Sequence, residues 1–159
     1  GRRVDEEIGH VAESDIRKYP QRPYLAVSAA IVRDGKVLLV RRARHPALNL
    51  YTLPGGAVET GETLAEAAAR EVREETALEI DVIGLAGHRE VIVRDAEGRV
   101  ERHFVIMCHA ARWRAGEIVL NDELDDARWL VPSEITGLRT TEGLAEIVAA
   151  AIDILNRKA

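Results

Sequence analysis

The sequence predicts an α+β protein, a mixed β-sheet held in an α/β/α sandwich. Apolar, strand-like runs stand on both sides of a helical stretch from Thr63 to Thr76. A second helical stretch closes the chain: Leu144, Ile147, Val148, Ala151, Ile152 and Leu155 recur at the three-and-four spacing of one buried face. Strands and helices do not alternate regularly, as an all-parallel sheet would require. With 159 residues, 47% hydrophobic and 31% charged, the chain suits one folded domain with a sizeable core. The expected organisation is an N-terminal arm or short helix over residues 1–19 and one domain over 20–159.

Each element has a local reason. Pro20 and Pro23 mark the entry to the domain. Tyr24 to Val32 and Lys36 to Val40 are apolar, and Asp34-Gly35 between them is a strong hairpin signal. Arg41 to Pro46 reads as a charged loop. Tyr51-Thr52-Leu53 is a short strand stopped by a turn at Pro54-Gly55-Gly56. Thr63 can cap the next helix, with Glu66 completing a capping box. Glu79 to Leu85, Arg89 to Arg94 and Val100 to Trp113 read as strands, with a turn at Asp95 to Gly98. Ile118-Val119-Leu120 is a short apolar piece between turn signals. Ala127 to Val131 is another strand, ended by Pro132, and Thr141 is the expected N-cap of the last helix.

Composition narrows the function classes. A net charge of -5 argues against tight binding of duplex nucleic acid, which rests on many Lys and Arg contacts to phosphate. No apolar run is long enough to span a membrane, and no signal-like apolar block opens the chain, although Gly1 in place of Met suggests a trimmed or engineered terminus. The single cysteine, Cys108, excludes an internal disulfide framework and a cysteine-rich zinc site, and fits a reducing, cytoplasmic compartment.

The helix after the glycines carries the chemistry. On a helical wheel with Glu71 at zero, Leu64 lies near ~20°, Glu75 near ~40°, Ala68 near ~60° and Glu74 near ~300°. Arg70, Arg73 and Glu66 fall on the wet face, where Glu66–Arg70 and Arg70–Glu74 can pair across one turn. Glu71 and Glu75 instead intrude on the face that should be buried, and with Glu74 they repel one another. A hard divalent cation, Mg²⁺ or Mn²⁺, resolves both problems because it prefers oxygen ligands.

From Gly56 the chain reads Gly, five residues, Glu62, seven residues, Arg70-Glu71-Val72, one residue, Glu74-Glu75, one residue, Ala77-Leu78. This resembles the Nudix box of the Nudix hydrolases. The Leu-Pro-Gly-Gly lead-in and the late Ala-Arg-Trp-Leu strand before Pro-Ser-Glu-Ile are similar to that family as well, so the resemblance runs from about Tyr24 to the C-terminus. One departure is Ala77 where the family usually has a helix-ending glycine.

The resemblance implies a Nudix-like sandwich and a metal-dependent hydrolase that cuts the diphosphate of a nucleoside diphosphate linked to another moiety, of nucleoside triphosphate or nucleotide sugar type. It implies metal binding by Glu71, Glu74, Glu75 and the Gly55 carbonyl, with Mg²⁺ as cofactor and Mn²⁺ as substitute. Glu74 and Glu71 are the expected catalytic carboxylates, Arg70 orients them, and Glu59 and Glu62 brace the loop. A further metal-binding glutamate outside the box is expected at Glu117 or Glu123. Arg41, Arg42 and Glu59 are candidates for substrate binding, with Arg44 close by. Tyr51, Trp113 and Trp129 suit core packing better than stacking on a base. Val93 stands where members specific for ADP-ribose carry proline, which counts against that subset. The expected partner is a small nucleotide, with no membrane and a monomer or homodimer. A nucleotide-sensing module on the same fold is the alternative, disfavoured by the intact Arg70, Glu71, Glu74 and Glu75. An isopentenyl-diphosphate isomerase-like enzyme would need a cysteine upstream of the box, and Cys108 lies downstream.

Overall fold

The computed structural model describes residues 16–158. The helical reading of Val4, Ile8 and Val11 lies outside them.

One mixed sheet organises the fold. β1 (Tyr24–Arg33) runs parallel to β6 (Val100–Ala115) and antiparallel to β2 (Lys36–Arg42) and β4 (Gly55–Ala57). β3 (Tyr51–Thr52) and β7 (Leu124–Leu130) pair with β2, and β5 (Glu79–Arg94) forms the far edge against β6. The hairpin at Asp34-Gly35 forms as expected, with both residues at positive φ, 51° and 76°.

Successive residues of β1 and β2 face opposite layers, and both layers are covered. Ala29, Ile31, Leu38 and Val40 pack with Val72 and Leu78 of the first-helix region. Ala30, Val37 and Leu39 pack with Leu144, Val148, Ala151 and Leu155 of the last helix. The unbroken apolar run of β1 follows from this two-sided burial. The helices are α1 (Leu64–Thr76) and α2 (Leu144–Arg157), with a 3-10 helix at Pro132–Gly137 before α2.

Three local expectations change. Gly55 and Gly56 do not form a turn; they are in β4, paired with Ser28 and Val27. A Cβ on Gly55 would run into the Val27 carbonyl oxygen, so the glycine serves close strand approach. Glu79 to Arg94 is one strand rather than two, with register shifts at Val82/Gly84 and Leu85/Gly87 absorbing its glycines. The short apolar piece behaves as read: Ile118 and Leu120 pack on the α1-side core, while the Val119 and Asn121 N–H groups donate to the Thr76 and Glu75 carbonyls at 2.9 and 3.1 Å. Those contacts satisfy the last turn of α1 and fix the loop that follows. Finally, α2 starts after Gly143, which has no side chain to cap it; Thr141 instead donates to Thr52 Oγ1 at 3.1 Å and to the Tyr51 carbonyl at 3.0 Å.

Candidate active site

Thr63 caps α1 as its sequence predicts. Its Oγ1 accepts from the Glu66 N–H at 3.1 Å, and Glu66 Oε1 accepts from the Thr63 N–H at 3.2 Å. At the other end Ala77 takes φ 66°, the left-handed conformation, and its N–H donates to the Arg73 carbonyl. The helix therefore ends where a glycine would end it, with strain carried by an alanine.

Ala67, Ala68 and Val72 face the sheet, and Glu75 is buried with them at 3% exposure. The Gly55 N–H donates to Glu75 Oε1 at 2.9 Å. Burial lifts the Glu75 carboxyl to a pKa of about 8; Glu71 and Glu123 push the same way, and the Gly55 N–H and Arg42 oppose them. Burial also raises Glu71, against the lowering effect of Arg70. Gly56 makes room for Glu71, since a Cβ there would run into the Glu71 carboxyl group. Glu74 is more open, with its side chain 55% exposed.

Arg70 does not lie on the wet face or pair with Glu66, which is spent on the capping box. It folds over the first turn and grips Glu62 through two bonds of 2.7 and 2.9 Å. Its Nη1 donates to Glu71 Oε1 at 3.0 Å and Glu74 Oε2 at 3.2 Å, and its Nη2 to the Ala57 carbonyl at 3.0 Å. The long side chain lets the guanidinium escape the wheel position of its Cα. Glu62 is held near pKa 2 by Arg70 and by the Glu59 N–H. The Glu59 carboxylate is 70% exposed and comes no nearer Arg70 than 3.9 Å; it stands at the loop rather than in the cavity.

A cavity of about 400 Å³ opens beside these groups. Glu71, Glu74, Glu123, Arg42, Gly55 and Gly56 line its acidic end, and Val91, Phe104 and Ile106 line its apolar wall. Arg42, largely buried, is turned to the Pro46 carbonyl at 2.6 Å, and burial lowers its pKa.

Two expected residues lie elsewhere. Glu117 does not join the carboxylates; its side chain is 80% exposed and pairs with Arg33, which stacks on Trp113. The loop after β6 carries Glu123 to the cavity instead, because Val119 and Asn121 are tied to the end of α1. Arg41 points away from the cavity to Asp125 at 2.6 Å, since neighbours on a strand face opposite sides. Arg44 pairs with Asp122. Tyr51 donates to Asp126, and Trp113 Nε1 donates to the Gly116 carbonyl. Sequence reasoning missed Ser28, Arg89 and Phe104, which line the cavity; in a continuous apolar run, strand parity alone does not say which face carries a site.

The donor set fits a hard divalent cation: carboxylate oxygens, two of them on residues whose negative charge burial disfavours. Among the described residues no three such side chains already stand as a ligand cluster. Arg70 and the Gly55 N–H hold one oxygen each of Glu71, Glu74 and Glu75. No helix among the described residues is long and apolar enough to cross a membrane.

Comparison with known proteins agrees with this geometry. The NUDIX domain model matches residues 22–151. The chain is 34% identical over 131 residues to an ADP-ribose pyrophosphatase of Methanocaldococcus jannaschii, covering 81% of this chain and 74% of that protein. It is 36% identical over 115 residues to an NAD-capped RNA hydrolase NudC of Edwardsiella ictaluri, covering 71% of this chain but only 40% of that relative's length. A MutT NUDIX hydrolase from Burkholderia pseudomallei superposes with a TM-score of 0.69 at 26% identity, covering 82% of this chain and 98% of that one. The chain belongs to the Nudix family and is a Nudix-type pyrophosphohydrolase, acting on acid anhydrides of phosphorus.

Proposed function

We propose that this chain hydrolyses the diphosphate linkage of a small nucleoside diphosphate derivative, with Mg²⁺ as cofactor and Mn²⁺ as substitute. The observation that carries the reading is the meeting of Glu71, Glu74 and Glu123 at one end of a cavity whose other wall is apolar. Glu71, Glu74, Glu75, the Gly55 carbonyl and Glu123 would hold the metal. A cation held there would supply positive charge against the diphosphate and would acidify a water. Arg70 keeps Glu71 and Glu74 oriented. Glu74, the most open of the three helix carboxylates, accepts the proton of the attacking water. Arg42, which lines the cavity while bonded to the Pro46 carbonyl, would meet the phosphates, and Phe104 and Ile106 would shield the nucleoside from water.

Substrate choice rests on two opposed signals. Val93 argues against the ADP-ribose subset, whereas similarity to an ADP-ribose pyrophosphatase argues for it. Both ADP-ribose and nucleoside triphosphates therefore belong in the test, with NADH, diadenosine polyphosphates and sugar nucleotides. Turnover of at least one, dependent on Mg²⁺ or Mn²⁺ and lost with EDTA, is expected. No turnover of any would return the weight to nucleotide sensing. A cytoplasmic location, a monomeric or homodimeric state and no binding of duplex nucleic acid or membrane complete the proposal.

A further inference from the structure

The sheet floor of the cavity carries a row of small residues. Gly87 pairs with Cys108, Cys108 with Ser28, and Ser28 with Gly55, in one register across β5, β6, β1 and β4. The next row is Arg89, Ile106, Ala26 and Ala57, bulkier on β5 and β6 only. The small row is thus a trough at the foot of Arg89 and Ile106, and it ends at the glycine whose N–H holds Glu75. In this trough Ser28 is 7% exposed, and its Oγ, buried from solvent, is the one such side-chain polar atom without a hydrogen-bond partner among the described residues. Ser28 lines the cavity, with Val27 and Ala29 facing the opposite layer. The neighbouring Cys108 thiol is directed at the Ile106 carbonyl at 3.7 Å, and its sulfur offers Ser28 at most a weak acceptor.

A buried hydroxyl whose nearest polar neighbour is only a thiol sulfur costs stability. Alanine fits a strand that already reads Ala26, Ala29 and Ala30, so packing gives no reason for serine. We propose that the Ser28 hydroxyl is a specificity-determining contact to a sugar hydroxyl of the substrate, next to the diphosphate. The position selects that group. Ser28 faces Gly55 across one strand pair, about 5 Å at the Cα atoms, so its partner lies beside the carboxylate end rather than at the far wall of Phe104. A hydroxyl can both donate to and accept from Ser28, and it carries no charge to be stranded in the trough. The inference rests on the reading that the acidic end takes a nucleotide diphosphate.

The test pairs Ser28→Ala with substrate analogues each lacking one sugar hydroxyl, using whichever compound of the panel the wild type turns over. In the wild type one deoxy analogue should lose about 5- to 30-fold in kcat/KM, mainly through KM. In Ser28→Ala the parent substrate should show the same loss, and that analogue no further loss. The variant's ligand-free melting temperature should stay level or rise, which a structural serine would not permit. An unchanged kcat/KM for Ser28→Ala, or equal deoxy penalties in both proteins, overturns the inference while wild-type turnover leaves the proposed function standing. If the wild type turns over nothing, ADP-ribose binding by calorimetry replaces kcat/KM with the same expectations, and absence of binding overturns both.

Discussion

The backbone N–H of Gly55 donates to Oε1 of Glu75 at 2.9 Å, joining a three-residue strand to the last turn of α1. That bond holds a carboxylate that is 3% exposed and whose pKa burial lifts to about 8. Several consequences of this arrangement can be measured.

Stability of the metal-free protein should fall as pH rises. Glu75 goes from an ordinary 4.5 to about 8 on folding, so between those values the native state holds a proton that the unfolded state has lost. Its contribution is full below about pH 4.5 and is lost through pH 8, on the order of 5 kcal/mol by linkage. Denaturant titrations in EDTA across this window should show the decline, and Glu75→Gln should remove most of it, leaving the smaller part that the raised Glu71 carries. Mg²⁺ should restore more stability at pH 8.5 than at pH 5.5, because its ligands must be deprotonated.

Arg70→Lys should lower kcat by more than tenfold. Lysine is a point charge and cannot reproduce the fork that holds Glu62, Glu71 and Glu74 together. Arg70→Ala should also cost about 2–4 kcal/mol of stability, since it strands partly buried carboxylates. Steady-state kinetics and chemical denaturation separate the two effects.

Glu123→Gln should cut kcat by at least tenfold and weaken the dependence on Mg²⁺. Glu117→Gln should leave turnover unchanged, because that side chain only pairs with Arg33 at the surface. Metal titrations of both variants check the reassignment.

Ala77→Gly should stabilise the protein by about 0.5–1 kcal/mol, relieving an alanine at φ 66°. Thermal unfolding should record the rise with turnover unaltered, as no proposed ligand changes.

Local chemistry was legible in the sequence, and tertiary placement was not. The Asp34-Gly35 hairpin and the Thr63–Glu66 capping box are decided by neighbours in the chain, and both form as read. The wheel found that Glu71 and Glu75 turn inward because a helix fixes the direction of each Cβ. It misjudged Arg70, whose side chain spans several ångströms beyond the helix surface. Glu117 and Glu123 looked equivalent because both stand in one loop; two backbone bonds to Thr76 and Glu75 make the difference, and no local pattern encodes them. The pairing of Gly55 with Ser28 was invisible for the same reason.

The two glycines of β4 carry one further meaning. Ala67, Ala68 and Val72 anchor α1 on one face of the sheet, while Ser28, Cys108 and Ile106 look into the cavity on the other. At Gly55 and Gly56 the sheet is thin enough for acidic groups to serve the opposite side. The proposed acids, borne by α1 and the loop after β6, thus meet the proposed substrate surface of the sheet at one end of a shared cavity. On the proposed reading, Phe104 and Ile106, further along β6 from the row that meets Gly55, are the positions where substrate choice would change with least effect on the acids.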